Sequence, residues 1–381
     1  MIGRSDLHYL DNSATTEVLR EAAETAVSFM TESYGNPSSL HTMGFRAKCA
    51  LDEAREKIAG SIAAQPAEVY FTSGGTESNN LAVLGAADAR KRLGNKIVTT
   101  AAEHPSVLMA MKELEKQGFR VEYLPLDSSG NIKPDQLEQA VDTDTILVSM
   151  MLVNNETGSI FPVEKAARII KKNKAPALLH TDAVQAYLKL PLSPKKLGAD
   201  MISISGHKVH GPKGIGALYL SKNARISQRV YGGGQEQNLR SGTEAVPLIA
   251  AFGKAVEASL PISRERVHIE ALNSRLRKGL SEISEVSVNS PSEALPYIMN
   301  FSAGQVRAET MLHFLAAKEI YVSSGSACGK AKPSHVLSAM GLCETRIASS
   351  IRVSFSRFNT EEDVDALLRG LKEGLSTIKV G

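Results

Sequence analysis

A lysine among small residues and a thiol among glycines and lysines are the most reactive-looking features of this 381-residue chain. The lysine is Lys208, in Ser203-Ile204-Ser205-Gly206-His207-Lys208-Val209-His210-Gly211-Pro212-Lys213-Gly214. It stands just past an apolar run, where burial can depress its pKa and leave a nucleophilic amine. Ser205, Gly206 and His207 beside it can donate hydrogen bonds to an anion. Taken alone, such a lysine could equally be a solvated one. The thiol is Cys328, in Ser323-Ser324-Gly325-Ser326-Ala327-Cys328-Gly329-Lys330-Ala331-Lys332-Pro333. These small, polar residues suggest a mobile loop, and nearby cations favour the thiolate. Cys49 and Cys343 lie mid-helix and just past a helix end, and read as inert packing residues.

Four more polar segments follow apolar runs, the position at which open α/β sheets bind ligands. After Phe71 comes Thr72-Ser73-Gly74-Gly75-Thr76-Glu77. Its glycines let backbone N–H groups approach an anion, and the helix start that follows adds partial positive charge. Glu103-His104-Pro105 follows Thr99, and Val153-Asn154-Asn155-Glu156-Thr157-Gly158 follows Met150. His180-Thr181-Asp182-Ala183-Val184-Gln185 follows Leu179, and a carboxylate buried there needs a partner such as a cation. Each segment has a plain reading: a Gly-rich turn, a solvated histidine, a polar turn, a structural ion pair. Together they offer what pyridoxal phosphate needs, namely a Schiff-base lysine (Lys208), a carboxylate for the ring nitrogen (Asp182), a phosphate cradle (Gly75, Thr76) and a stacking group (His104). Arg352, next to the apolar Ile351, could grip a carboxylate bidentately.

The elements that would carry these residues alternate. Amphipathic helices are expected over 17–32 and 45–64, the second from Leu51, Ala54, Ile58 and Ile62 at helical spacing. Strands are expected over 69–71, 97–99, 119–124, 145–150, 177–181, 201–204 and 216–220, with Thr76 as a helix cap and a helix after Pro105. Such alternation predicts an α/β fold with a mostly parallel sheet. A long charged helix over 264–282 opens a different pattern. Short strands over 286–288, 297–301, 320–323 and 351–355 follow, with helices between them, as in a smaller α+β domain. Residues 257–263, with Pro261, read as a hinge. The length also favours two domains. The expected division is 17–260 as the large cofactor-binding domain, and 1–16 with 261–381 as a small domain carrying the Cys328 loop.

Bulk properties narrow the function. Hydrophobic residues make up 43% and charged residues 22% of the chain, as in ordinary globular proteins. A net charge of +3, without a dense basic stripe, argues against a nucleic-acid partner. No segment approaches a membrane span and no signal peptide is legible. Three scattered cysteines fit a reducing compartment and make neither a disulfide framework nor a zinc site, so the expectation is a cytoplasmic protein without a metal.

These ordered motifs, together with Tyr9-Leu10-Asp11-Asn12-Ser13-Ala14-Thr15-Thr16, Tyr34-Gly35-Asn36-Pro37-Ser38-Ser39 and Arg240-Ser241-Gly242-Thr243, resemble the cysteine desulfurases of the fold-type I pyridoxal-phosphate enzymes along essentially the whole chain. The resemblance implies a fold-type I transferase and removal of sulfur from L-cysteine. The products would be L-alanine and a persulfide on Cys328, passed to an acceptor for iron–sulfur cluster assembly or thiolation. It implies that Lys208 carries the cofactor and moves the Cα proton, and that Asp182 meets the ring nitrogen. Gln185 would bond the phenolic oxygen, and His104 would stack on the ring and act in proton transfer. Gly75, Thr76, Ser205, Gly206 and His207 would cradle the phosphate, with Thr243 reaching that of a neighbouring subunit in a homodimer. Asn155 and Arg352 would hold the substrate carboxylate. A selenocysteine lyase or another class-V enzyme is the alternative. Two departures stand out. Asn12 occupies a position that is aromatic in some relatives. Only Gly329-Lys330-Ala331-Lys332 separates Cys328 from Pro333, about two residues fewer than usual, which shortens the reach by at most ~7 Å.

Overall fold

The computed structural model describes residues 7–324 and 333–378; Cys328 lies outside them. The strands are β1 (His8–Tyr9), β2 (Val69–Thr72), β3 (Lys96–Thr100), β4 (Arg120–Leu124), β5 (Thr145–Ser149), β6 (Leu178–Asp182), β7 (Met201–Ser205), β8 (Gly216–Leu220), β9 (Val286–Val288), β10 (Ile298–Ala303), β11 (Ile320–Tyr321) and β12 (Ser350–Ser354). Most agree with the expected runs to within a residue or two.

Among the described residues β2–β8 form one seven-stranded sheet in the order β2-β8-β7-β6-β5-β3-β4. Every residue of β3, β5, β6, β7 and β8 is buried. That is why these strands read as nearly continuous apolar runs: helices cover both faces. The edge strand β4 instead alternates exposed with half-buried residues before ending on buried Leu124. Pairing is parallel from β4 through β7 and antiparallel on both sides of β8. The two reversals cancel, so β2 runs parallel to β7. The carboxyl ends of β2, β3, β5, β6 and β7 therefore share one edge of the sheet, and the turns with candidate residues leave from that edge.

The later part of the chain builds an antiparallel sheet, β12-β10-β9. β1 pairs in parallel with β11, and Asp11 bridges to Ser354, which ties the first described residues to the last strand. One apolar cluster runs continuously from the large sheet (Val148, Ile202) into the small one (Phe301, Val353). Helices Val246–Glu257 and Ile262–Ser281 meet at 78° across the break containing Pro261, where the sequence suggested a hinge. Among the described residues no single helix is long and apolar enough to cross a membrane.

Two local expectations are corrected. Thr76 does not cap its helix, which starts at Gly75 with Gly74 in the cap position at φ +148°, a conformation open to glycine. Cys49 and Cys343 are exposed, so neither is a packing residue. The helical pattern gave the right element for Cys49, but its position falls on the outer face.

Candidate active site

The geometry is built from strand ends. β7 closes on Ser205 and a tight turn, Gly206–Lys208, swings the lysine back over the sheet edge. Lys208 Nζ donates to the carbonyls of Ser13 (2.5 Å) and Ala14 (2.7 Å). Burial pushes the Lys208 pKa down to about 7, assisted by the charges of Arg352 and Lys189 and opposed by Asp11 and Asp182. The amine thus exchanges its proton near neutrality, as a nucleophilic lysine must.

Asp182 ends β6 and is buried. The lysine pairing considered from the sequence is not what satisfies it. Asn79 Nδ2 donates to its Oδ2 at 2.6 Å, and the backbone N–H of Val184 donates to Oδ1 at 3.0 Å. Asn79 Nδ2 also donates to Ser106 Oγ at 2.9 Å. Ser106 then has its own hydrogen to give to His104 Nδ1, 2.8 Å away, while its backbone N–H donates to the same nitrogen at 3.2 Å. His104 is the N-cap of helix Pro105–Lys116. With Nδ1 accepting, the neutral ring carries its hydrogen on Nε2. Burial lowers the His104 pKa despite the nearby Asp182 charge, which keeps the ring neutral.

The residues expected to cradle a phosphate lie between β2 and β7. A Cβ built on Gly75 would stand 2.7 Å from Val184 Cγ2, and one on Gly74 would face Ser205 Oγ at 3.8 Å. Ser205 Oγ is itself buried without a hydrogen-bond partner among the described residues. A buried hydroxyl left over beside bare backbone and a helix start suits an anionic oxygen. His207 lies on the same turn, with its pKa pushed down to about 4 by burial and then by Lys208. It is therefore neutral and can donate one hydrogen. By these observations the residues fit pyridoxal phosphate: a cradle for the phosphate, a carboxyl group oriented by two donors, a neutral imidazole and a proton-poised amine.

Gln185 Nε2 donates to the Ser13 carbonyl at 3.0 Å, so Gln185 and Lys208 share one acceptor. Arg352, on β12, is 2% exposed. Its Nη2 pairs with Asp11 Oδ1 at 2.7 Å and its Nη1 donates to the Asn155 carbonyl at 3.0 Å, while Nε is buried without a partner among the described residues. The structure therefore joins the two carboxylate-binding candidates directly. Thr243 is exposed and has no described contact with this group. Its neighbour Arg240 is tied to Glu77, in the first turn of helix Gly75–Arg90, at 2.8 Å.

Sequence reasoning gave no role to Asn79, Asp11, Lys189 or the Ser13 and Ala14 carbonyls. Asn79 left a faint signal, sharing a helix face with Ala82, Val83 and Ala86, three, four and seven residues on. Backbone carbonyls leave none, because every residue type has one.

Comparison with known proteins follows this geometry. The family model described as Aminotransferase class-V matches residues 8–367. A curated relative, "Cysteine desulfurase IscS" of Methanosarcina thermophila, is 44% identical over 369 residues, covering 96% of this chain and 91% of the relative. Among solved structures, a "NIFS-LIKE PROTEIN" superposes with a TM-score of 0.92 at 41% identity, covering 98% of this chain and all of that one. Another, "SspA in complex with cysteine", has a TM-score of 0.82 at 35% identity, covering 93% of this chain and all of that one.

Proposed function

From the premise that this chain belongs to the aminotransferase class-V family and is a pyridoxal-phosphate-dependent cysteine desulfurase, we propose how its residues divide the reaction and where the sulfur goes. Its fold is that of the NifS-like enzymes of this class. The observation that carries the assignment is the meeting of Lys208, Asp182, His104 and Gln185 at one sheet edge.

Asp182 would hold the ring nitrogen, Gln185 the phenolic oxygen and His104 the ring face. Gly75, Thr76, Ser205, Gly206 and His207 would hold the phosphate. When bound, pyridoxal phosphate supplies an electron sink for charge developing at the substrate Cα. Lys208, poised near neutrality, moves the Cα proton. Arg352, oriented by Asp11 and the Asn155 carbonyl, keeps its Nε–H for the substrate carboxylate, and Asn155 assists. The Cys328 thiolate then attacks the substrate sulfur. An S–S bond forms and the C–S bond breaks, with its electron pair left on carbon. Protonation gives L-alanine and a Cys328 persulfide. The solved relative that holds cysteine supports L-cysteine as substrate.

The enzyme is a homodimer in this reading. Thr243, exposed on its own chain, serves the partner's phosphate, and the exposed Val27, Met30, Phe45 and Tyr231 support a covering surface. The persulfide passes to an acceptor protein for cluster assembly, as the IscS name of relatives suggests, or for thiolation, in a reducing cytoplasm. The division into 17–260 and 1–16 with 261–381 would let the small domain present Cys328.

The test is Cys328→Ala. Cysteine-to-sulfide turnover should fall by about a thousandfold or more, while the yellow cofactor adduct on Lys208 persists. Unchanged turnover would remove Cys328 from the reaction.

A further inference from the structure

Behind Lys208 lies a second buried lysine for which the reaction as described has no use. Lys189 follows β6 in the turn region after Asp182 and is 6% exposed. Among the described residues the one hydrogen-bond partner of its Nζ is Gln185 Oε1, at 3.5 Å, and Nζ stands 5.5 Å from the centre of the Tyr297 ring. Lys189 and Lys208 line the same small cavity of about 30 Å³, together with Glu265, Tyr297 and Arg357. Among the described residues no carboxylate pairs directly with Lys189. The negative charge that acts on it is that of Glu265, which accepts the Tyr297 hydroxyl at 3.0 Å.

The hydrogen bonds form one path. Lys189 donates to Gln185 Oε1, Gln185 Nε2 donates to the Ser13 carbonyl, and the same carbonyl accepts Lys208 Nζ. An ammonium can only donate and a carbonyl can only accept, so Lys189 and Ser13 together fix which way the Gln185 amide points. A buried cation without a paired anion is costly, so its retention here calls for a reason other than packing.

We propose that Lys189 is a positioning residue for the Lys208 amine: it fixes Gln185 through a donor-only contact, and its charge opposes a second charge on Lys208. The inference rests on Lys208 being the cofactor's anchor. The charges facing the pair come from every neighbouring element. Arg352 adds to the repulsion at both lysines, Glu265 reduces it at Lys189, Asp11 and Asp182 reduce it at Lys208, Arg357 lines the shared cavity, and burial lowers the pKa values of His104, His207 and His210. Burial also brings Lys189 down to about 8, so at pH 7 it is still mostly charged.

The test reads Lys208 itself. In full-length protein prepared without pyridoxal phosphate, acetylation of Lys208 by acetic anhydride is followed by peptide mass spectrometry across a pH series. Wild type should show a midpoint near 7. Lys189→Met, and the polar but neutral Lys189→Gln, should move that midpoint up by about one unit, from a lost Coulomb repulsion of about 1–2 kcal/mol. Lys189→Arg retains the charge and should leave it within a few tenths of a unit. A Lys208 midpoint unmoved in whichever neutral variant folds overturns the proposal. So does an upward shift in Lys189→Arg equal to that of the neutral variants, since loss of fit alone would then explain both. Borohydride reduction of the cofactor-loaded wild type tests the underlying reading separately: the cofactor's mass must appear on the Lys208 peptide, whatever the Lys189 series gives.

Discussion

At the scale of single residues, burial sets the charge states around the site and hydrogen bonds choose among tautomers. Glu103 shows the first effect most strongly. Its carboxyl is fully buried and its pKa is pushed up to about 8, although Met151 N–H and the Thr100 hydroxyl both donate to Oε1. Its Oε2 has no partner among the described residues. The folded protein therefore keeps a proton that the unfolded chain gives up in the ordinary carboxylate range. This contribution to stability is fully present below the unfolded pKa of about 4.3 and is lost as pH rises through about 8. Glu103→Gln keeps the Oε1 acceptor and cannot ionise. Its melting temperature should decline less than that of wild type between pH 5 and 8; parallel profiles would mean that Glu103 does not titrate there. The exposed Cys49 and Cys343 matter at this scale too, because thiol labelling aimed at Cys328 will also label them.

At the scale of elements, the site depends on strand ends arriving side by side. The turn after β2 approaches β7 and β8 so closely that side chains would be in the way. A Cβ on Gly216 would lie 2.7 Å from Gly74 Cα, and one on Gly75 would lie 2.7 Å from Val184 Cγ2. The second contact can be relieved, because it meets the end of a side chain. Gly75→Ala should cost about 1–3 kcal/mol in unfolding free energy through overpacking. Adding Val184→Ala removes Cγ2 and should recover at least half of that cost. A thermal or urea double-mutant cycle measures the coupling; strict additivity would show that Val184 is not what Gly75 accommodates. The network Asn79–Ser106–His104 works similarly, since it joins one helix to the N-cap of another across the end of β6.

At the scale of the whole molecule, a continuous apolar core joins the two sheets, and β1 and the Asp11 bridge lace the start of the chain to its last strand. Asp11 and Arg352, distant in sequence, become an ion pair because of that lacing. Light scattering of the cofactor-loaded protein should give the mass of two chains. Mixing Lys208→Ala chains with Thr243→Ala chains should then yield more activity than either variant alone, because one of the two mixed sites would carry both native residues. Monomers, or mixtures no better than their components, would assign Thr243 no role across subunits.

The sequence by itself determined the alternation of elements, the mostly parallel sheet and the residues that gather at its edge. Burial on both faces writes strands as apolar runs, and a turn that binds an anion needs glycine and small polar residues, so both leave marks in residue type. Lys208, Asp182 and His104 could be singled out in this way. Only the tertiary structure decided who satisfies whom. Asp182 is held by Asn79 and a backbone N–H where a lysine was considered, the Lys208 amine rests on the carbonyls of Ser13 and Ala14, and Arg352 is shared between Asp11 and Asn155. These partners are far away in the chain or belong to the backbone. A hydrogen bond depends on distance and direction, and residue order specifies those only after the chain has folded.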